Sequence, residues 1–180
     1  NVGDISATVM SGSGLALPFA FKGGSYPGSG GTCSTALSAG SSCTLVVSYA
    51  PTTTGLHTDS IAVDYNDSDG VQVASRDVQG TGSTPAILTL NQSPGFDYGT
   101  VPIGASQDVT LTLTNSGGVS ATALAGGGLA APFAFKGSGF PGTGGTCGTS
   151  LAASASCTIV VTYTPTTAAV HSDTVEISYN

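Results

Sequence analysis

The stretch CTIVVTYTPTT, residues 157–167, places Ile159, Val161 and Tyr163 at every second position. An apolar residue at alternate positions is typical of a β-strand with one buried face. The related stretch CTLVVSYAPTT, residues 43–53, has the same alternation. The chain therefore carries the same strand twice, and each copy begins with a cysteine.

One internal repeat organises the whole sequence. Cys147 lies 114 residues after Cys33 (147 minus 33), and the same offset places Asn1 on Asn115. It also matches LALPFAFKG with LAAPFAFKG, at 15–23 and 129–137. A repeat of this length predicts two domains in tandem. We expect residues 1–83 to form a domain that lacks its first strands, and residues 84–180 one that lacks its last strand.

The remaining apolar segments also alternate. In QDVTLTLTN, residues 107–115, Val109, Leu111 and Leu113 face one way and the threonines face the other. Further alternating sets are Ile61, Val63 and Tyr65, and Val175, Ile177 and Tyr179. Short strands separated by Gly, Pro, Asn and Asp predict an all-β fold of tandem immunoglobulin-like β-sandwich domains.

Composition excludes several classes of partner. Hydrophobic residues make up 39% of the 180 positions, charged residues make up 7%, and the net charge is −7. The cations are Lys22, Arg76 and Lys136, whereas nucleic acids and anionic membranes are bound by clusters of Lys and Arg. No apolar run reaches the roughly 18–20 residues of a membrane helix. We therefore expect no nucleic-acid binding and no membrane insertion in this segment.

The four cysteines form two pairs with identical spacing, Cys33 with Cys43 and Cys147 with Cys157. Zinc sites usually need four Cys or His ligands at short spacings, and redox pairs are usually Cys-x-x-Cys. One even pair in each repeat instead predicts one structural disulfide per domain. Such bonds persist in oxidising compartments, so we expect an extracellular or cell-surface location.

Two longer stretches carry a family resemblance. FDYGTVPIGASQDVTLTLTNSGG (96–118) and CGTSLAASASCTIVVTYTPTTAAVHSDTVEISYN (147–180) resemble the bacterial choice-of-anchor D domains, relatives of the ASPM–SPD-2–Hydin-like immunoglobulin folds. The resemblance implies tandem modules of bacterial surface or secreted proteins, and it supplies no catalytic residues. The sequence departs from the family pattern in GSYPGSGGT (24–32) and SGFPGTGGT (138–146), which precede the first cysteine of each pair.

The acidic stretch DYNDSDG, residues 64–70, is a weak calcium candidate. Its oxygen ligands would come from Asp64, Asn66, Asp67 and Asp69, but the glycine falls one position late for an EF-hand loop. Asp-Gly between two alternating strands is the ordinary sign of a hairpin turn, and this interpretation is favoured. We expect no cofactor and no metal site.

Each histidine is followed two residues later by an aspartate: His57 by Asp59, and His171 by Asp173. No nucleophile or pocket is indicated beside them, so the pairs predict polar contacts where a strand begins, not a catalytic dyad. We therefore expect a protein that is not an enzyme.

The inserted loops present an aromatic residue beside a proline, Tyr26 with Pro27 and Phe140 with Pro141. Exposed aromatics are effective contact residues because they bury a large area at low entropic cost. They could instead fold back and cap the sandwich, which is the favoured interpretation, and both stay open. Asn66-Asp67-Ser68 and Asn91-Gln92-Ser93 also match the N-glycosylation acceptor pattern.

These features favour a non-catalytic structural repeat module of an extracellular filament, stalk or surface fibre. Its expected partners are neighbouring copies along a fibre or a tandem chain, because near-identical repeats can stack in series. The alternative is an adhesin or ligand-binding module that uses the Gly/aromatic loops as its contact surface.

Overall fold

The computed structural model describes residues 1–91 and 95–180, and in that part of the chain all regular structure is β-strand. The chain divides into two compact units, which we call unit 1 (Asn1–Ser83) and unit 2 (Thr84–Asn180). The all-β prediction is confirmed. No helix in the described ranges is long and apolar enough to cross a membrane.

Unit 1 contains two sheets. Its strands are β1 (Ala7–Ser13), β2 (Phe19–Phe21), β3 (Ala36–Leu37), β4 (Val47–Tyr49), β5 (Gly55–Asp67) and β6 (Gly70–Gly82). One sheet has the order β3-β1-β5-β6, and the other pairs β2 with β4. The β5–β6 hairpin keeps one register from Gly55 opposite Gly82 to Asp67 opposite Gly70. Asp-Gly thus lies at the tip of a hairpin, as the sequence predicts.

Unit 2 contains a four-stranded sheet and two strand pairs. Its strands are β7 (Leu88–Leu90), β8 (Gln107–Asn115), β9 (Ala121–Thr122), β10 (Ala125–Gly127), β11 (Phe133–Phe135), β12 (Ser150–Leu151), β13 (Ser156–Tyr163) and β14 (Glu176–Ser178). The larger sheet has the order β11-β13-β8-β7, while β12 pairs with β9 and β10 with β14. Because β13 lies between β8 and β11, it is the most buried strand of this unit.

The core of unit 2 follows from the alternation in β8 and β13. Leu113 is 1% exposed and Ile159 is 0% exposed, and the threonines between the buried positions of β8 point outward. Leu124 and Leu151 pack onto this layer from outside the four-stranded sheet. Two apolar layers therefore face each other, which gives unit 2 a β-sandwich-like core.

A backbone irregularity interrupts the same strand in both units. The pairing of β1 with β5 shifts register between Thr8 and Ser11, and Val9 between them has a φ of 52°. Its repeat equivalent, Ala123, has a φ of 54° and lies between β9 and β10. A positive φ is unfavourable for both side chains, so surrounding contacts hold this kink in place.

One predicted strand is shorter than its repeat equivalent. The alternation of Val175, Ile177 and Tyr179 predicts a strand like the one around Ile61, but β14 extends only from Glu176 to Ser178. In unit 1 the corresponding residues belong to β5, which β6 pairs along its full length. Among the described residues of unit 2 no strand occupies that position beside β14.

Candidate functional site

A disulfide-linked loop recurs in the two units at equivalent positions. We call residues 22–33 and 136–147 the clasp loops, because each ends in a cysteine that is bonded to a second cysteine ten residues further along the chain. The bonds join Cys33 to Cys43 and Cys147 to Cys157, with Cα–Cα distances of 4.8 and 4.9 Å. The predicted disulfides are confirmed, and they are compatible with an oxidising or extracellular environment.

Backbone hydrogen bonds attach the clasp loop of unit 1 to residues 44–46, the segment that leads from Cys43 into β4. Lys22 N donates to Val46 O at 2.9 Å, and Val46 N donates to Pro27 O at 2.9 Å. Nearer the disulfide, Thr32 N donates to Thr44 O at 2.9 Å. The loop therefore behaves as an irregular extra strand, which the cysteine pair closes at one end.

Glycine is required where the clasp loop comes closest to the segment before β4 in unit 1 and to β13 in unit 2. Gly28 has a φ of +90°, and a Cβ there would lie 2.0 Å from Val46 O. Gly142 repeats the geometry, with a φ of +89° and a Cβ position 2.2 Å from Val160 O. A side chain at either position would break the backbone contact, so the glycine-rich composition serves close packing.

The aromatic residues of the clasp loops fold back onto their own units. Tyr26 is half-buried and meets Phe21 edge-on, with ring centroids 5.8 Å apart. Phe140 meets Phe135 edge-on at 5.7 Å. Burial raises the pKa of Tyr26 above its ordinary value.

The neighbouring prolines are also half-buried. Pro27 O accepts from Val46 N at 2.9 Å, and Pro141 O accepts from Val160 N at 2.8 Å. The loop tips are thus tied to their own strands by main-chain bonds. A contact role for the four predicted loop residues stays a prediction.

Both histidines are bound through both ring nitrogens. In unit 1, Tyr49 OH lies 2.9 Å from His57 Nδ1, and Thr53 Oγ1 lies 3.0 Å from His57 Nε2. In unit 2, Tyr163 OH lies 2.9 Å from His171 Nδ1. At these distances the atoms form hydrogen bonds. Each histidine therefore links the strand that carries its tyrosine to the segment that follows that strand.

The aspartates after the histidines bind different partners from the predicted ones. Asp59 Oδ2 accepts from Ala16 N at 2.7 Å, and Asp173 Oδ2 accepts from Ala130 N at 2.6 Å. The predicted polar His–Asp pair is therefore not formed through these oxygens. Each carboxylate instead accepts a hydrogen bond from a backbone N–H in a loop of its own unit. The backbone bond from Ala130 and a second from Thr174 lower the pKa of Asp173.

The weak calcium candidates lie at the tip of the β5–β6 hairpin. Asp64 Oδ2 accepts from Ser13 Oγ at 2.8 Å, while Asp67 Oδ1 accepts from Asp69 N at 2.8 Å inside the turn. Asn66 lies opposite Val71 in the hairpin. Within residues 1–91 and 95–180, no three His, Cys, Asp or Glu side chains gather as a metal site. Of the second glycosylation acceptor, Gln92 and Ser93 lie outside the described residues.

A cavity in unit 2 was not anticipated from the sequence. It has a volume of about 1100 Å³, and its lining includes Tyr98, Phe133, Tyr163 and His171. Tyr98 OH donates to Val161 O at 3.1 Å, and burial together with the nearby Asp108 charge raises the pKa of Tyr98 to about 12. The signal available in the sequence was the aromatic pair in FDYG (96–99), which precedes the first long strand of this unit.

An ion pair connects the second clasp loop to β8. Lys136 Nζ lies 2.7 Å from Asp108 Oδ2, and Thr162 Oγ1 donates to Asp108 Oδ1 at 2.6 Å. These hydrogen bonds, from Lys136 first and then Thr162, lower the pKa of Asp108. Because both charged side chains are substantially exposed, the pair adds little to stability.

Asn115 is a buried polar residue that sequence reasoning missed. It is 0% exposed, and its side-chain amide donates to Val119 O, Leu151 O and Ala152 O. Its Oδ1 accepts from Ile87 N at 3.1 Å. The available signal was the repeat itself, which places Asn1 on Asn115.

Comparisons with known proteins give little further information. No family model matches the chain, and no curated protein matches it. Among solved structures, it is similar to the crystal structure of a protein of unknown function from Porphyromonas gingivalis W83. The two share 11% sequence identity over 91% of this chain and 71% of the other, with a TM-score of 0.35. At that score the likeness supports no conclusion about fold relationship or function.

Proposed function

We propose that this chain is a non-catalytic structural repeat module of an extracellular filament, stalk or surface fibre. The observation that carries the proposal is the use of the same internal contacts in both units. The disulfide, the tyrosine–histidine hydrogen bond and the aspartate–backbone hydrogen bond recur at equivalent positions. In each unit the histidine and the aspartate that follows it are thus engaged in contacts within the unit.

Durability outside the cell supports the same proposal. Each disulfide closes a short loop between cysteines ten residues apart, and such a bond stabilises a fold by about 2–3 kcal/mol. Charged residues make up 7% of the chain, so most of the surface that each copy presents is uncharged. We propose neighbouring copies of the repeat as partners, and an extracellular or cell-surface location.

We further propose that both units are immunoglobulin-like domains of the choice-of-anchor D type. The support is the strand alternation and the repeated strand-and-cysteine motif in residues 43–53 and 157–167. This assignment adds no catalytic residue and no cofactor to the proposed role.

The adhesin alternative has less support from the packing of the loop aromatics. It requires Tyr26 and Phe140 to meet a target, whereas both rings are engaged edge-on with a phenylalanine of their own unit. A ring that is already packed contributes less to binding, because it must first leave that contact.

Electron microscopy of native surface and secreted material, with a gold-labelled antibody raised against this chain, tests the proposed function. We expect label along the whole length of fibres or stalks, at an axial repeat the size of one domain. We also expect the fibres to loosen in reductant, and alkylation in the absence of reductant to serve as the control. Label confined to fibre tips or to sites of attachment would overturn the structural role in favour of an adhesin.

A further inference from the structure

One motif of unit 1 is used neither by the fold nor by the proposed function. Asn66-Asp67-Ser68 is the Asn-x-Ser pattern at which asparagine receives an N-linked sugar, and it spans the end of β5 and the start of the turn before β6. A pattern of three residues also arises by chance in a chain rich in serine and threonine. The exposure of the asparagine, its hydrogen bonds and its neighbours are therefore the observations that matter.

Asn66 lies on the outer face of the β3-β1-β5-β6 sheet. It is opposite Thr8 of β1 and Val71 of β6, and residues directly opposite one another in antiparallel strands share one face. Thr8 is exposed, and Val71 is 75% exposed. The half-buried side chain of Asn66 therefore extends toward solvent between two exposed neighbours.

The openness of this face does not come from the ends of the sequence, because both neighbours of β5 belong to this chain. In unit 2 the segment before Asn115 forms β7 and β8, which join β13 in the sheet that does not contain β14. Asn1 is the repeat equivalent of Asn115. A similar segment before Asn1 would therefore extend the sheet of β2 and β4 and leave Asn66 uncovered.

The side-chain amide of Asn66 lacks the contacts that occupy three other asparagines. Asn1 and Asn115 donate through Nδ2 and accept through Oδ1, and Asn91 accepts a backbone N–H through Oδ1. Within residues 1–91 and 95–180, Asn66 forms a hydrogen bond with a side chain only through its main-chain oxygen, which accepts from Thr8 Oγ1 at 3.3 Å. Its Nδ2 is therefore available for a chemical modification.

The rest of the pattern is also accessible. Ser68 is exposed in the turn of the hairpin. Asp67 Oδ1 accepts from Asp69 N at 2.8 Å, so the middle residue of the pattern stabilises the turn directly after Asn66. A transferase can therefore reach the asparagine and the serine hydroxyl together, as recognition of the pattern requires.

A sugar at this position would cover an apolar surface that the fold leaves open. Val71 and Val73 lie on the same face of β6, and Val73 is 59% exposed. Two adjacent apolar side chains in solvent favour association with other surfaces. A sugar on Asn66, which is directly opposite Val71, would shield both valines and keep the hairpin hydrated.

We propose that Asn66 carries an N-linked sugar on Nδ2. The transfer joins C1 of the sugar to Nδ2, breaks the bond from C1 to a phosphate oxygen of a diphosphate-activated sugar donor, and releases the diphosphate with the bonding electron pair. The amide gives up one proton to a base, so no oxidant or reductant takes part. This modification goes beyond the proposed structural role, and it rests on the proposed extracellular location, because such sugars are carried by secreted proteins.

Mass spectrometry of the native surface and secreted material tests the proposal. After reduction and denaturation, trypsin cleaves after each Lys and Arg, which places Asn66 in peptide 23–76 and the second acceptor pattern in peptide 77–136. We expect peptide 23–76 to gain the mass of at least one sugar, and fragmentation that keeps the sugar attached to assign the gain to Asn66. Unmodified Asn66, or a sugar on another residue of that peptide only, would overturn the proposal.

Variants produced in the same cells test how the site is recognised. Ser68→Ala is expected to abolish the mass gain although Asn66 is unchanged, and Ser68→Thr is expected to keep it, because Ser and Thr both complete the pattern. Ser75→Ala is the matched control, since Ser75 is exposed on the same hairpin but lies outside the pattern. A sugar that persists on the Ser68→Ala variant would overturn attachment through this pattern.

The location of the chain and the modification of Asn66 are measured separately. If the antibody label places the chain outside the cell and Asn66 is unmodified, the modification fails and the proposed structural role stands. If the chain is retained inside the cell, the proposed location fails and the modification fails with it.

Discussion

The side-chain amide of Asn115 donates a hydrogen bond to the carbonyl oxygen of Leu151 at 3.1 Å. In unit 1, Asn1 makes the same bond to Leu37 at 3.0 Å, and its Oδ1 accepts from Gly3 N as that of Asn115 accepts from Gly117 N. The two asparagines differ in burial, because Asn115 is fully covered and Asn1 is half-buried. The same asparagine hydrogen bonds therefore occur once in a buried environment and once in a half-buried one.

Asn115→Ala is expected to destabilise unit 2 by about 3 kcal/mol, because it leaves several buried backbone groups without a partner. Chemical denaturation followed by NMR signals of each unit measures the change. Asn1→Ala is the matched control and should cost about 1 kcal/mol or less, since water reaches its partners. Equal losses for the two variants would show that burial does not set the cost.

Gly126→Ala is expected to destabilise unit 2 by about 1–3 kcal/mol through overpacking. A Cβ at this position would lie 2.2 Å from the ring of Phe140, so the aromatic tip of the clasp loop must move. Gly127→Ala is the matched control, because a Cβ there has no neighbour within 4 Å. Thermal unfolding of both variants measures the difference in their stability. Equal unfolding midpoints would mean that Phe140 does not pack against Gly126 as described.

Replacing both cysteines of one unit by serine is expected to lower its stability by about 2–3 kcal/mol, as loop closure predicts. The paired variants Cys33→Ser/Cys43→Ser and Cys147→Ser/Cys157→Ser assign the loss to each unit. Denaturation with and without reductant provides the measurement, because the quadruple variant should be insensitive to reductant. Unchanged unfolding of the intact protein after complete reduction would contradict a stabilising role.

The stability of unit 2 is expected to fall as the pH rises from about 10 to about 12. The pKa of Tyr98 is raised to about 12 in the fold, so the neutral phenol is favoured there and the unfolded state loses its proton first. Tyr98→Phe should flatten this alkaline slope and remove about 1 kcal/mol at neutral pH with the hydrogen bond to Val161. Tyr179→Phe, on an exposed side chain, is the control and should leave the slope intact.

The stabilisation that depends on Asp173 is lost as the pH falls, in contrast to that of Tyr98. The pKa of Asp173 is lowered from 3.8 by backbone hydrogen bonds from Ala130 and Thr174. Its stabilising contribution is present above pH 3.8 and is lost as the pH falls through the lowered value. Asp173→Asn should therefore flatten the acid limb of the stability curve of unit 2. Asp4→Asn in unit 1 is the control, and an unchanged acid limb for Asp173→Asn would contradict the assignment.

Strand alternation and cysteine spacing predicted the parts of the fold that depend on local sequence. The burial of Leu111 and Leu113 in β8 follows from period-two alternation alone, and both disulfides follow from one cysteine pair per repeat. β14 is shorter than its alternation predicts, because strand length also depends on whether a neighbour pairs along the edge.

The contacts that the sequence did not predict join separate segments of the chain. The partners of Asp173 and His171 lie on other segments, Ala130 and Tyr163, so adjacency in the sequence suggested a His–Asp pair that the fold does not form. The cavity beside Tyr98 is similarly a product of packing between distant segments. Only the repeat register could have flagged Asn115, by aligning it with another asparagine.

The scarcity of cationic residues limits digestion of the protein. Trypsin-like proteases cut after Lys or Arg, and the chain has three such positions. Lys22 N and Lys136 N donate to the backbone carbonyls of Val46 and Val160, and Arg76 is paired within β6 opposite Ile61. A protease needs an extended, detached segment at the cleaved bond, so cleavage at each position requires local unfolding first. The folded chain should therefore resist trypsin-like proteases, and lysine-directed labels would have few places to react.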